Sequence, residues 1–147
     1  MLSPASNLTI SLESEPADAV RVTVLEGLRA YNRLHVPAPG FQPLVLASRA
    51  DDVIVAGLIG ETGWEWLHID LLWVAEKYRR CGLGRRLLHA AEREAWLRGA
   101  RRAWLDTFDF QAKPFYERVG YVAFGAQEDY PPGHTRFFLR KDLVATK

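Results

Sequence analysis

An apolar strand, Leu71-Leu72-Trp73-Val74, runs through Ala75-Glu76-Lys77-Tyr78 into Arg79-Arg80-Cys81-Gly82-Leu83-Gly84-Arg85-Arg86. From Leu83 to about Leu97 the apolar residues recur at helical spacing, and Gly99 stops the pattern. A second strand is expected at Arg102 to Thr107. A helix that carries the chain from one strand to the next in the same sheet makes the two strands parallel, whereas a short hairpin makes an antiparallel pair. The middle of the chain is therefore a β-α-β unit, and the loop that opens its helix is rich in glycine and arginine.

The flanking segments fit a mixed sheet around that unit. Leu8-Thr9-Ile10-Ser11-Leu12 alternates as a half-buried strand does, and Pro16 opens an amphipathic stretch, Ala17 to Leu34, closed by Pro37, Pro39 and Gly40. Pro43 to Ser48 and Val53 to Ile59 read as strands joined at Ala50-Asp51-Asp52, and a tight turn over Gly60 to Gly63 leads into Trp66 to Val74. A shorter helix is expected from Gln111 to Val119, stopped at Gly120. Strands at Tyr121 to Gly125 and His134 to Arg140 then close a hairpin across the long loop Gln127 to Gly133. The predicted order is β-α-β-β-β-α-β-α-β-β. An antiparallel meander, a β-α-β unit and a closing hairpin define an α/β or α+β fold with a mixed sheet and helices packed on it. The expected organisation is one domain over residues 1–147, close to the commonest domain size.

Charge and cysteine content narrow the function classes. Nineteen Lys and Arg against eighteen Asp and Glu leave a net charge of +1, so no global field draws in nucleic acid or an anionic membrane. The single Cys81 cannot form an internal disulfide or a cysteine-based zinc site. Met1-Leu2-Ser3-Pro4 carries no basic leader with an apolar core, and apolar runs such as Val53 to Gly60 are far shorter than the roughly 20 residues of a membrane span. A cytoplasmic, non-membrane protein without a metal is expected.

The loop itself reads as an anion cradle. Glycines at alternate positions let successive backbone N–H groups point into one concavity, and the unpaired amides and dipole of the following helix favour negative charge there. Gly within a first helical turn costs on the order of 1 kcal/mol, so two of them need a reason. A dinucleotide fold would place a third glycine where Leu87 stands, and a P-loop would need Gly-Lys-Ser/Thr, which is absent. Neither of these phosphate motifs fits.

Arg79-x-x-Gly82-x-Gly84 matches the Arg/Gln-x-x-Gly-x-Gly/Ala signature of the GNAT superfamily of N-acetyltransferases, and the chain resembles that family from about Val53 to Leu143. Leu87-Leu88-x-x-Ala91-Glu92 and Phe115-Tyr116-Glu117-Arg118-Val119-Gly120-Tyr121 carry the likeness further. The resemblance implies acetyl-CoA as co-substrate, its pyrophosphate held by Arg79, Arg80, Cys81, Gly82, Leu83, Gly84 and Arg85. It implies a sheet that splays between the strands ending at Val74 and Thr107, with Leu72, Trp73 and Val74 offering backbone groups to the pantetheine arm. Where many members carry a cofactor-binding Asn, this chain has Thr107-Phe108-Asp109-Phe110-Gln111-Ala112, and Gln111 is expected in that role. Tyr116 stands where the family places its general acid. His68 stands about where some members place a Glu base, and strict strand alternation puts Asp70 on the same face, so His68 oriented by Asp70 is the expected base, with Glu61 and Glu65 in reserve. A backbone N–H near Val74 is expected to polarise the carbonyl.

The acceptor is a primary amine of a small molecule or peptide on this reading. Trp64, Trp66, Tyr31 and Phe41 are candidates for an apolar or cation-accepting pocket, and the loop Glu128 to His134 offers an acidic rim suited to a cationic amine. Open sheet edges and the family habit imply a homodimer. The alternative from another class is a module of the same fold that senses acyl-CoA or binds a partner without catalysis.

Overall fold

The computed structural model describes residues 8–13 and 17–145. The chain divides into two compact units, Met1–Ala38 and Pro39–Lys147. In the first, α1 spans Asp18–Asn32, with Asp18 in the first turn and Arg29 in the last, matching the helix dipole at both ends. It ends two residues earlier than its apolar periodicity, because Arg33 to His35 tighten into a turn in which Leu34 N–H donates to Tyr31 C=O at 3.0 Å. Leu8 to Leu12 form no strand: alternation specifies which side of a strand would be buried, but a ladder needs a neighbour, and these residues pair with none among the described residues. Pro16 and the segment Met1 to Pro4 lie outside the described residues.

The second unit is built on one six-stranded sheet. Its strands are β1 (Gln42–Ala50), β2 (Val53–Gly63), β3 (Trp66–Val74), β4 (Arg102–Phe108), β5 (Val122–Glu128) and β6 (Thr135–Asp142), arranged β1-β2-β3-β4-β6-β5. All neighbours are antiparallel except β3 and β4, which are parallel as the crossover requires. The crossover helix α2 spans Leu83–Leu97 and the short helix α3 spans Lys113–Arg118.

Two hairpin turns use side-chain-bearing residues at positive φ. Asp51 and Asp52 join β1 to β2, and Trp64 and Glu65 join β2 to β3, each pair matching the twist of its strands as a primed two-residue turn does. The second turn therefore falls later than Gly60 to Gly63. Gly60 lies inside β2, where a Cβ would come within 2.3 Å of the His68 carbonyl oxygen, so glycine is required by close backbone approach.

Leu88, Ala91 and Ala95 share one face of α2 and are fully buried against Leu44, Leu58, Leu67, Leu105 and Leu139 of the sheet. The small alanines bring the helix close to the strands. Gly99, at φ 97, closes α2: Ala100 N–H reaches the Ala95 carbonyl and Gly99 N–H the Trp96 carbonyl, a Schellman arrangement. Gly120, at φ 100, closes α3 in the same way and turns Tyr121 into the core. The Tyr121 hydroxyl donates to Glu92 of α2 at 3.0 Å, and Lys141 of β6 pairs with the same carboxylate at 2.9 Å. No helix among the described residues is long and apolar enough to cross a membrane.

Candidate active site

The parallel ladder between β3 and β4 runs only from Trp66–Arg102 to Ile69–Leu105. Beyond it β3 continues with β2 to Val74 and β4 continues with β6 to Phe108, so the two strands part. A cleft of about 930 Å³ opens in the gap. Its walls are Asp70 to Val74 on one side and Asp106 and Thr107 on the other, with the N-terminus of α2 at one end and Tyr116 of α3 below.

The register shows which backbone groups face the gap. Ala75 N–H donates to Val55 C=O at 2.8 Å, and Ala56 lies opposite Val74 and Gly57 opposite Trp73. Antiparallel pairs alternate between bonded and non-bonded, so Trp73 exchanges its hydrogen bonds with Gly57 while Leu72 and Val74 turn theirs toward the gap. Of the three residues expected to offer free backbone groups, Trp73 thus does not: its side chain borders the cleft and its main chain is spent on β2. On the opposite wall, Asp109 N–H donates to Thr135 C=O at 2.9 Å, and the same alternation turns the main chain of Asp106 toward the gap.

The glycine loop stands at the end of this gap. Arg80 and Gly82 adopt positive φ, 60 and 80, and Gly82 caps α2 without a side-chain bond. The first helical bond is Arg86 N–H to Gly82 C=O at 3.0 Å, so the amides of Leu83, Gly84 and Arg85 have no acceptor within the helix. Arg79 Nε donates to Val74 C=O at 2.9 Å and ties the loop to β3. Arg79, Arg80, Gly82, Leu83, Gly84 and Arg85 all line the cleft, as does Arg118 of α3. Cys81 does not: its Sγ turns back to the Tyr78 carbonyl at 2.8 Å. A Cβ on Gly84 would meet Phe115 and Val74 at an ordinary 3.7 Å, so the protein itself leaves room for a methyl there.

Tyr116 is 7% exposed, its ring set edge-to-face against Phe115 and Tyr121. Burial first, and the Asp106 carboxylate second, push its phenol up to about 12, so it keeps its proton at neutral pH. Gln111 borders the cleft, and its Oε1 accepts from Phe108 N–H at 3.0 Å and Thr107 Oγ1 at 3.3 Å. Its carbonyl is thus used in holding the β4–α3 loop, which leaves the amide nitrogen as its contribution to a ligand.

The His68 and Asp70 pair is not assembled as strand alternation predicts. Leu71 lies opposite Ile59 and Ile69 opposite Gly60, so Asp70 is the extra residue of a bulge. Leu67 and Ile69 sit in the core, and past the bulge Leu72 and Val74 take over, three residues on rather than two. His68 stacks flat on Trp104, centroids 3.9 Å apart, and does not line the cleft; Asp70 does, and no hydrogen bond or ion pair engages it among the described residues. Glu65 belongs to a separate hollow beside Trp64 and Trp66. Sequence reasoning missed Asp106, whose Oδ2 accepts from Arg136 Nε at 2.8 Å, and Arg118 and Phe110. A charged residue between the buried positions Leu105 and Thr107 of β4 was the available signal for Asp106.

The comparisons with known proteins agree with this architecture. A model of the acetyltransferase (GNAT) family matches residues 11–121. A blasticidin-S acetyltransferase of Streptomyces morookaense is 46% identical over 91 residues, 61% of this chain and 67% of that protein. An acetyltransferase of Agrobacterium fabrum is 34% identical over 130 residues, 87% of this chain and 95% of that one. The crystal structure of an acetyltransferase from Bacillus cereus superposes with a TM-score of 0.83 at 32% identity, covering 91% of this chain and 98% of the other. The signature loop at the head of α2, the parted strands and these relatives place the chain in the GNAT family, and it is an N-acetyltransferase.

Proposed function

We propose that the protein transfers the acetyl group of acetyl-CoA to a primary amine of a small molecule. The observation that carries this reading is the gap between β3 and β4, continuous with the amides and arginines at the head of α2. A thioester ligand of this kind supplies an activated acetyl group and leaves as a thiol. Its chemistry suits the cleft: phosphates for Arg79, Arg80, Arg85 and Arg118 and the free amides of Leu83 to Arg85, and amide groups for the exposed main chain of Leu72 and the N–H of Val74. We read residues 1–147 as one acetyltransferase domain, supported by a family match that runs across both units.

In this reading Tyr116 donates the proton that the departing sulfur requires, a role a neutral buried phenol can fill. Asp70, standing in the cleft wall without a partner, accepts the proton of the attacking amine, and the stacked His68 is a structural residue of β3. A backbone N–H of β3 near Val74 is the donor to the carbonyl oxygen; such a donor contributes roughly 3 kcal/mol in comparable oxyanion sites. A small-molecule acceptor is favoured by the blasticidin-S acetyltransferase among the relatives.

The test is thiol release from acetyl-CoA against a panel of polyamines, aminoglycosides, amino acids and nucleoside antibiotics including blasticidin S, with calorimetry of CoA and of a dinucleotide alongside. Acceptor-dependent thiol release is expected for at least one small amine. Tight CoA binding with no turnover across the panel would instead favour a sensing module, and tighter binding of the dinucleotide would remove the donor assignment.

A further inference from the structure

The gap between β3 and β4 passes through the sheet, and its two faces are chemically different. Leu105 and Thr107 of β4 are buried on the face that carries α2 and α3. Alternation sets Asp106 and Phe108 on the other face, away from the glycine loop. An acceptor reaching the cleft from that face therefore meets Asp106, with the Phe108 ring beside it on the same face.

Around them the hairpin loop between β5 and β6 builds an aromatic surface. The Phe108 ring lies parallel to Phe110, interplanar angle 2° and centroids 5.2 Å apart, and Tyr130 of the loop stacks on Phe108 at 6.2 Å. Phe110 lines the cleft, and Phe110 and Tyr130 are about half exposed. The loop is locked in place rather than draped. Asp109 accepts from Thr135 N–H at 3.1 Å and bonds His134 Nδ1 at 2.9 Å; Asp129 accepts from Gly133 N–H at 3.2 Å; and Tyr130 N–H reaches His134 C=O at 3.1 Å. Arg136 joins the aromatic surface to the acid, its guanidinium 5.6 Å from the Tyr130 ring and its Nε on Asp106.

We propose that Phe108, Phe110 and Tyr130 form an acceptor subsite for a flat ring, with Asp106 holding the ammonium of the same molecule, so that the substrate class is a primary amine carried on a planar ring system. This rests on the acetyl-transfer reading above for its chemistry, but its binding content is independent of turnover. Exposed aromatic faces gain most from another flat ring, and Asp106, with one oxygen on Arg136, keeps its other oxygen for a cation. Asp70 on the facing wall adds a carboxylate at this end of the cleft, while Arg79, Arg80 and Arg85 stand at the other.

The test compares 2-phenylethylamine with n-butylamine, two primary amines of similar basicity, by calorimetry with CoA present and by thiol release from acetyl-CoA. The ring amine is expected to bind about five- to tenfold more tightly than butylamine, the scale of one or two aromatic contacts. Phe110→Leu and Tyr130→Leu should each reduce that ratio to about twofold or less, and Tyr130→Leu, which lies outside the lining of the CoA cleft, should do so with CoA affinity unchanged. Asp106→Asn should weaken both amines alike and preserve their ratio. Equal affinity of the two amines for the wild-type protein, or an undiminished ratio in both leucine variants, overturns the subsite. Selective binding of the ring amine without thiol release would uphold the subsite and count against the acetyl-transfer reading.

Discussion

Arg79 Nε donates to the Val74 carbonyl across 2.9 Å, so the first residue of the signature loop is fastened to the last residue of β3. That bond fixes the phosphate end of the cleft relative to the strand whose main chain is exposed beside it.

The bond needs a planar N–H donor more than it needs charge. Arg79→Gln is expected to keep CoA affinity within about threefold, while Arg79→Met, which leaves the carbonyl without that partner, should lower it by about tenfold. Isothermal calorimetry of CoA on both variants distinguishes anchoring from simple attraction to phosphate, since loss of affinity in both alike would point to charge.

Gly82 combines φ 80 with open space around its Cα. Gly82→Val should fold, with a strain cost on the order of 1–3 kcal/mol, and lose CoA binding by about a hundredfold or more as the branched side chain enters the cradle. A folded variant that retains wild-type CoA affinity would dislodge the loop from its assigned role.

Tyr116→Phe is expected to reduce kcat by about 10²–10³ with CoA affinity preserved, as loss of a general acid does. The same variant bears on alkaline stability. The folded phenol stands at about 12 against an unfolded value near 10, so its contribution is fully present below about pH 10 and is lost as pH rises to about 12. Across that window the wild type should lose about 3 kcal/mol more than Tyr116→Phe in denaturant titrations. Tyr121 is raised by burial and by Glu92 and, in smaller part, by Tyr116 itself, so the comparison is made with Tyr121→Phe present in both proteins.

Asp70→Asn should cut kcat/KM by about a hundredfold or more with CoA affinity preserved. His68→Leu should leave kcat/KM largely unchanged and show its effect in the melting temperature, as expected of a ring stacked on Trp104. The reverse outcome would restore His68 as the base.

Lys141 and the Tyr121 hydroxyl share the Glu92 carboxylate, whose side chain is 11% exposed. Lys141→Met leaves that carboxylate with Tyr121 alone, and a loss of about 1–3 kcal/mol is expected after allowance for residual solvent. A thermal melt should register this as several degrees, with CoA affinity unaltered.

Much of this architecture was legible in the residues. The β-α-β crossover followed from the periodicity of Leu83 to Leu97 between two apolar strands, and the cradle from Gly82 and Gly84 at the helix head. Strand existence at Leu8 to Leu12 was misread because alternation carries no information about a pairing neighbour. His68 and Asp70 were joined by strict two-residue periodicity, and a bulge is the event that periodicity cannot register: one inserted residue at Asp70 changed which side chains reach the cleft. Trp73 was credited with free main-chain groups because only the register against Gly57 reveals which residues of β3 are already bonded. Asp106 depends on Arg136, thirty positions away, and no local pattern joins them.

The short ladder from Trp66–Arg102 to Ile69–Leu105 makes the sheet two three-stranded leaves, β1-β2-β3 and β4-β6-β5, hinged at one end. A ligand lying in the opening acts as a wedge and a stitch at once, bonding to both leaves where they do not bond to each other. Amide hydrogens of Leu72, Val74 and Asp106 should then be the ones whose exchange with solvent slows most on ligand binding, and the melting temperature should climb with ligand concentration as the leaves are sewn together.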